Sequence, residues 1–190
     1  MKAMSALVEA LDSPEAVVAL MTWRGGGSYF GEPVTVLEHC LQAAYFAREA
    51  ASPSALIVAS LLHDVGHLLH HEGENAAELG MDMRHEELGN RLLAVHLPVA
   101  VTEPIRLHVP AKRYLCFADS GYLDSLSPSS ILSLGLQGGP MSSDEAREFL
   151  ALQFAREAIA LRHFDDEAKI PELPVPEIHT YLPLLKTLWR

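Results

Sequence analysis

The sequence predicts an all-α protein, on three observations. Apolar residues recur at three- and four-residue spacing or fill runs of helix length, start and stop signals bracket these runs, and no convincing alternating strand appears. At 190 residues and 49% apolar composition the chain is long enough for one globular domain, residues 1–190.

In chain order, Gly25-Gly26-Gly27-Ser28-Tyr29-Phe30-Gly31-Glu32 reads as a Gly-rich flexible stretch. A helix from Val34 to Ala51 comes next, started near Pro33 or Thr35, with Leu37, Leu41, Ala44 and Tyr45 three or four apart; it carries His39. The clearest helix runs from Ser52 to about Leu69. Ser52 suits the N-cap, Pro53 the first turn, and residues 55–69 are almost continuously apolar, so this helix is buried. Residues 70–84 hold Gly73, Asn75, Gly80 and several charges without a period, and read as a loop of the kind that forms lids or substrate contacts. A helix over about His85–His96 succeeds it. Pro98, Pro104 and Pro110 then bracket His108 and predict a short helix there rather than a long one. Ser127-Pro128 opens a helix that Gly138-Gly139-Pro140 stops. Ser142 or Ser143, with Asp144 and Glu145 at the positive end of the dipole, begins a long helix through about His163. Residues 169–176 are proline-rich and extended, and Glu177–Trp189 forms a last helix interrupted at Pro183.

The net charge of -11 argues against a nucleic-acid partner or an anionic membrane surface, both of which call for a basic face. Cys40 and Cys116, each inside an apolar run, fit free thiols in a reducing compartment. With no leader pattern and no apolar stretch near ~20 residues, the expectation is a soluble cytoplasmic protein.

In Leu61-Leu62-His63-Asp64-Val65-Gly66-His67, a continuous helix puts His63 and His67 on one face with Asp64 beside them. Ionisable groups in an apolar buried helix are costly unless they are paired or bind metal. His39, His85 and His108 each read alone as a core or surface histidine. Asp165 and Asp166 read alone as a solvated helix end, although a carboxylate near Arg162 and Lys169 suits a closing ligand. Together with His63-Asp64 they supply donors for two metal ions, whereas His70, His71, His96, His163 and His179 fit no such pattern. Tyr29 on residue type alone is equally a surface-loop tyrosine packed on the core, and Lys112 and Arg162 are equally solvated charges.

The order His39, His63-Asp64, late Asp165 resembles the HD-domain superfamily, helical proteins that bind one or two metal ions. Further segments are similar to PhnZ/TmpB-type mixed-valence di-iron oxygenases of organophosphonate catabolism: Tyr29-Phe30-Gly31-Glu32, Leu37-Glu38-His39, residues 108–115 and Gln137-Gly138-Gly139-Pro140-Met141. The resemblance covers roughly residues 20–176 and implies an HD-domain helical bundle around a dinuclear site. It implies one iron on His39, His63 and Asp165, the other on His85 and His108, and Asp64 bridging an Fe(II)/Fe(III) pair. By the same resemblance Tyr29 occupies an iron position until substrate arrives, Glu32 meets the substrate ammonium, and His67, Lys112, Ser130 and Arg162 surround the phosphonate, assisted by Ser133 and Gln137.

The implied reaction is O2-dependent cleavage of the carbon–phosphorus bond of a 1-hydroxy-2-aminoethylphosphonate, giving phosphate and glycine, or glycine betaine from the N-trimethylated substrate. Met81 and Met83, whose thioethers suit a methylated cation, favour (R)-1-hydroxy-2-(trimethylammonio)ethylphosphonate. Two other readings use the same superfamily. One is a metal-dependent phosphohydrolase of a phosphate ester or nucleotide, against which Tyr29 and Glu32 speak; the other is a degenerate binding module, against which the intact ligand set speaks.

Overall fold

Ser13 starts the first helix, α1 (Pro14–Arg24), by accepting from the Ala16 amide ahead of a first-turn proline. The structure, a computed structural model, describes residues 11–69 and 84–190. The loop expected at 70–84, with His70, His71, Met81 and Met83, lies outside the described residues except for Arg84. Ten α-helices and one small hairpin make up the described chain, so the expected fold class holds.

The hairpin is β1 (Ser28–Tyr29) against β2 (Glu32–Thr35), antiparallel and bulged, where sequence patterning showed only a flexible stretch. Its two-residue turn, Phe30-Gly31, has positive φ at both positions, as a type I′ turn requires. The strands are too short to show an alternating pattern. Thr35 then closes a capping box with Glu38 and starts α2 (Val36–Glu49), so this helix begins later than Val34.

The helix expected over Ser52–Leu69 is three pieces. α3 (Ser54–Leu62) ends at a turn holding His63 and Asp64, and Val65–Leu69 continues as a tighter 3-10 turn. Two features impose the break. His67 N–H donates to the Asp64 carbonyl, three residues back, and Gly66 lies so close to α4 (His85–Leu93) that a Cβ on it would sit 2.0 Å from the His85 carbonyl oxygen. A continuous α-helix would not bring that backbone so near.

His108 does not lie on a short helix. It is near the middle of α5 (Val99–Ala118), the longest in the described chain, which contains both Pro104 and Pro110. Each proline costs about 3 kcal/mol in a helix interior. Against that, Val101, Ile105, Leu107, Val109, Ala111 and Leu115 are buried among the neighbouring elements, and burial of an apolar side chain such as Val, Leu or Ile contributes roughly 1.5–3 kcal/mol. Packing outweighs the two missing donors.

α6 (Tyr122–Ser125) and α7 (Pro128–Leu136) come after it, the latter capped by Ser127 and ended before Gly138-Gly139 as expected. The long helix from Ser143 is broken into α8 (Ser143–Leu150) and α9 (Ala155–Glu167), with Phe154 left-handed between them. Phe149 and Ala155 both join one cluster with Leu107, Ala111 and Met141. In a straight helix they would point about 120° apart, so the break lets both be buried together. A 3-10 turn (Ile178–Tyr181) leads into α10 (Leu182–Leu188), where Pro183 occupies the first turn instead of interrupting a helix. α5 packs on α9, α4 and α3, and α2 packs on α3 and α9; the side chains of the site project from where these five helices meet. No helix among the described residues is long and apolar enough to cross a membrane.

Candidate metal centre and anion pocket

Residues far apart in sequence are brought together by these helices. His39 comes from the second turn of α2, His63 and Asp64 from the turn after α3, His85 from the first position of α4, His108 from α5 and Asp165 from the end of α9. All six are buried. Ligand atoms of His39, His63 and Asp165 lie within 4.8 Å of one another, as do those of Asp64, His67 and His85.

The imidazoles face each other in two pairs. His39 Nε2 is 3.0 Å from His63 Nε2, and His85 Nε2 is 3.0 Å from His108 Nε2. For three of them the opposite nitrogen meets a carbonyl: His39 Nδ1 with Ala168 at 2.8 Å, His63 Nδ1 with Ser60 at 2.8 Å and His108 Nδ1 with Ile105 at 2.6 Å. A carbonyl only accepts, so these Nδ1 atoms carry the proton and their Nε2 lone pairs point inward. The fourth, His85 Nδ1, lies 3.6 Å from Glu86 Oε2. Lone pairs opposed at such distances repel unless a cation lies between them, and such outer hydrogen bonds are what orient metal-ligating histidines.

Asp64 stands between the two pairs. Its Oδ2 is 3.5 Å from the Nε2 atoms of His39 and His63, and its Oδ1 is 3.4 Å from His85 Nε2 and 3.9 Å from His108 Nε2. Oδ2 is buried without a hydrogen-bond partner, a costly arrangement that a bound cation relieves. Asp165 Oδ1 is 3.4 Å from His39 Nε2. The donor set therefore fits two metal ions.

Burial alone would raise the Asp64 carboxyl, but the imidazoles around it, His63 foremost, hold it well below the usual carboxylate range. Asp165 is likewise held low against its burial, chiefly by Arg162. Burial pushes the His85 imidazole well below its ordinary value and His108 down to about 4, which keeps both in the neutral form that binds metal.

The hairpin caps this cluster. The Tyr29 ring stacks on His39 at 3.9 Å between centroids, and Phe30 packs edge-on against His67 at 4.6 Å. Burial, then the charges of Asp64 and Asp165, push the Tyr29 hydroxyl well above its ordinary range. Glu32 Oε1 accepts from the Ser129 hydroxyl at 2.7 Å, which ties the hairpin to the start of α7. His67 stacks on His85 at 3.9 Å, and its Nε2 lies 3.9 Å from Asp64 Oδ1. It thus sits nearer the second ligand group than a helix-face argument alone would place it.

Beside the cluster two cationic side chains, Lys112 and Arg162, are buried. Lys112, one turn beyond His108 on α5, donates to Ser133 Oγ at 2.8 Å, and Ser133 in turn donates to the Ser130 carbonyl. Burial, then the nearby Arg162, lowers the Lys112 ammonium to about 7. The Arg162 guanidinium is clamped: one terminal nitrogen donates to Asp165 Oδ2 at 2.8 Å, the other to Asp166, and Nε to Tyr122 Oη and Asp166 Oδ2, both at 3.1 Å. Gln137 Oε1 is buried without a hydrogen-bond partner.

Apart from Gln137, whose side chain shows no contact to the cluster among the described residues, the expected site residues thus gather in one region. Asp166 and Lys169 read in the sequence only as charges near the closing carboxylate, and sequence reasoning did not identify Gln42, Gly66, Tyr122 and Ser129, which also hold the site. Of these only Gly66 carried a local signal, as a glycine inside an apolar helical run. His96, with its ring stacked on Trp189, and the exposed His163 and His179 lie outside the cluster as expected.

A helical core that gathers histidines and aspartates from separate helices around a His-Asp pair defines the HD-domain class of metal-binding proteins. The chain belongs to the HD-domain family, whose model matches residues 36–109. It is 37% identical over 174 residues, 92% of this chain and 89% of the relative, to the glycine-betaine-forming 1-hydroxy-2-(trimethylamino)ethylphosphonate dioxygenase of Leisingera caerulea. It is 46% identical over 158 residues, 82% of this chain and 78% of the relative, to the hydroxymethylphosphonate dioxygenase of Gimesia maris. An uncharacterized protein of Acanthamoeba polyphaga mimivirus is 29% identical over 179 residues.

Proposed function

We propose that the protein is an O2-dependent oxygenase that cleaves the carbon–phosphorus bond of a 1-hydroxyphosphonate at a di-iron Fe(II)/Fe(III) centre. The observation that carries this reading is the donor set of the first ligand group, His39, His63 and Asp165. Two imidazoles and one carboxylate are the ligands associated with non-haem iron that handles O2. The similarity of nearly the whole chain to two phosphonate dioxygenases supports the same reaction. His39, His63 and Asp165 would hold one ion and His85 and His108 the other, with Asp64 shared; when bound, the irons supply the O2 chemistry.

The chain's own residues then bind and orient the substrate. Lys112, Arg162, Ser130 and Ser133 would meet the phosphonate with charged and hydroxyl donors, His67 and Gln137 would assist them, and Tyr29, stacked on His39, would shield the metal position before substrate binds. Atoms balance without an added reductant: a 1-hydroxyphosphonate and O2 give a carboxylic acid and phosphate.

For the substituent on C1 the reading is the trimethylammoniomethyl group, giving glycine betaine. Glu32 supplies the counter-charge while Ser129 satisfies it, and the Tyr29 and Phe30 faces suit a quaternary cation that cannot donate hydrogen bonds. The 46% identity to a hydroxymethylphosphonate dioxygenase favours a second reading with no such substituent, in which formate would be the acid.

Iron-loaded protein should release phosphate from 1-hydroxyphosphonates in air and none without O2. Assay of hydroxymethylphosphonate beside substrates with zero to three N-methyl groups reads the preference directly. Phosphate release that persists without O2 would establish a hydrolase instead.

Lys112 also imposes a pH dependence. As pH rises through about 7 its ammonium loses charge, so affinity for an anionic phosphonate falls, whereas below that value the cation is retained. The alkaline limb of kcat/KM should therefore move to higher pH in Lys112→Arg, because a guanidinium stays charged and the ionisation of the substrate is common to both proteins. An unmoved limb would remove Lys112 from phosphonate binding.

A further inference from the structure

We propose that Lys169 is a third phosphonate-binding cation, completing a pocket with Lys112 and Arg162; the inference rests on the phosphonate reading above. Lys169 lies in the strap that leaves α9, and the backbone on both sides of it is pinned to α2. On one side the Ala168 carbonyl accepts from His39 Nδ1 at 2.8 Å. On the other, the Gln42 amide donates to the Ile170 carbonyl at 2.7 Å and accepts from the Ile170 N–H at 3.0 Å. The strap therefore presents the Lys169 side chain from a fixed base, as a residue that must meet a ligand requires.

That side chain reaches Ser130 Oγ at 3.3 Å, and Ser130 is buried. Ser133, one turn further along α7, takes the Lys112 ammonium at 2.8 Å. Two ammonium groups thus converge on one face of one turn, Lys112 from α5 and Lys169 from the strap. Among the described residues, neither has a carboxylate within 4.0 Å. The chain carries a net charge of -11, so carboxylates are not scarce. The hydrogen bonds of both ammonium groups go to neutral hydroxyls, and a dianion with oxygens on several sides would give each a charged partner.

The test uses the iron-loaded enzyme, a 1-hydroxyphosphonate substrate and inorganic phosphate as competitor. Lys169→Met keeps the apolar stem and removes the charge. It should raise KM and weaken phosphate inhibition by about tenfold or more, the worth of a hydrogen bond to a charged group, with iron content and Tm unchanged. Lys169→Arg should restore most of the loss. Unchanged KM and inhibition constant in Lys169→Met would overturn the proposal. So would a fall in iron content or Tm that Arg does not rescue, since that result assigns Lys169 to the structure of the strap. If the wild-type enzyme released phosphate from no 1-hydroxyphosphonate, the reaction reading would fail on its own, and calorimetric titration of phosphate into wild type and both variants would still decide the role of Lys169.

Discussion

Replacement of Asp64 by Ala is expected to strip the protein of both metal ions and take phosphate release below detection. Among the described residues, Asp64 is the one carboxylate whose two oxygens face different imidazole pairs, Oδ2 toward His39 and His63 and Oδ1 toward His85 and His108. Without it, the nitrogens of each pair stand 3.0 Å from one another, the His85/His108 pair loses the carboxylate it faces, and the His39/His63 pair keeps only Asp165. Loss of a residue that only orients a ligand lowers metal affinity about 10- to 100-fold, so loss of a shared ligand should exceed that for both ions. Metal analysis of purified protein is the measurement, with Asp64→Asn as the control that keeps the shape and removes the charge. Two ions per chain retained in Asp64→Ala would refute the bridging role.

Gly66→Ala, a substitution at a residue that is not itself a ligand, is expected to have a large effect on both stability and the site. The added Cβ would lie 2.0 Å from the His85 carbonyl oxygen, 2.8 Å from its carbonyl carbon and 3.0 Å from its Cα. All three are backbone atoms, so no side chain can turn aside, and either the 3-10 turn or the start of α4 must move. Overpacking of this kind costs about 3 kcal/mol, which lowers Tm by roughly 6–12 °C in a protein of this size. Because the atom struck belongs to His85, metal content should fall as well. Gly89→Ala tests the same interface gently: its nearest contact is a Val65 methyl at 3.4 Å, and alanine in a helix interior gains about 0.8–1 kcal/mol over glycine. Equal Tm values for the Gly66 and Gly89 variants would show that the close approach is not what fixes His85.

The sequence is most legible where capping chemistry and periodicity agree, as at Thr35 with Glu38 and at Ser127-Pro128. The same signature at Ser13-Pro14-Glu15 starts α1, an element absent from the expected set. Legibility is lowest where packing overrides local preference. The two prolines of α5 signal breaks, yet the helix runs through them because it is surrounded by other elements. The break at Phe154 has no Gly or Pro to announce it, because its cause is the joint burial of Phe149 and Ala155. At the site, residue types and the His63-Asp64 pair indicate metal, but no spacing rule joins His39 to Asp165 or places Ser129 against Glu32. The first pairing depends on α2 meeting α9 and the second on the hairpin meeting α7, and resemblance to the family supplies what local physics cannot.

The two ligand groups also differ in how much chain they need. Asp64, His67, His85 and His108 all lie on the N-terminal side of the end of α5, whereas the group of His39 and His63 waits for Asp165 at the end of α9 and for the Ala168 carbonyl that orients His39. A chain emerging from the ribosome N-terminus first therefore completes one half of the centre well before the other. Later-made residues close the site: until α9 docks, the first pair of histidines has Asp64 but lacks the Asp165 carboxylate and the Ala168 tether of His39.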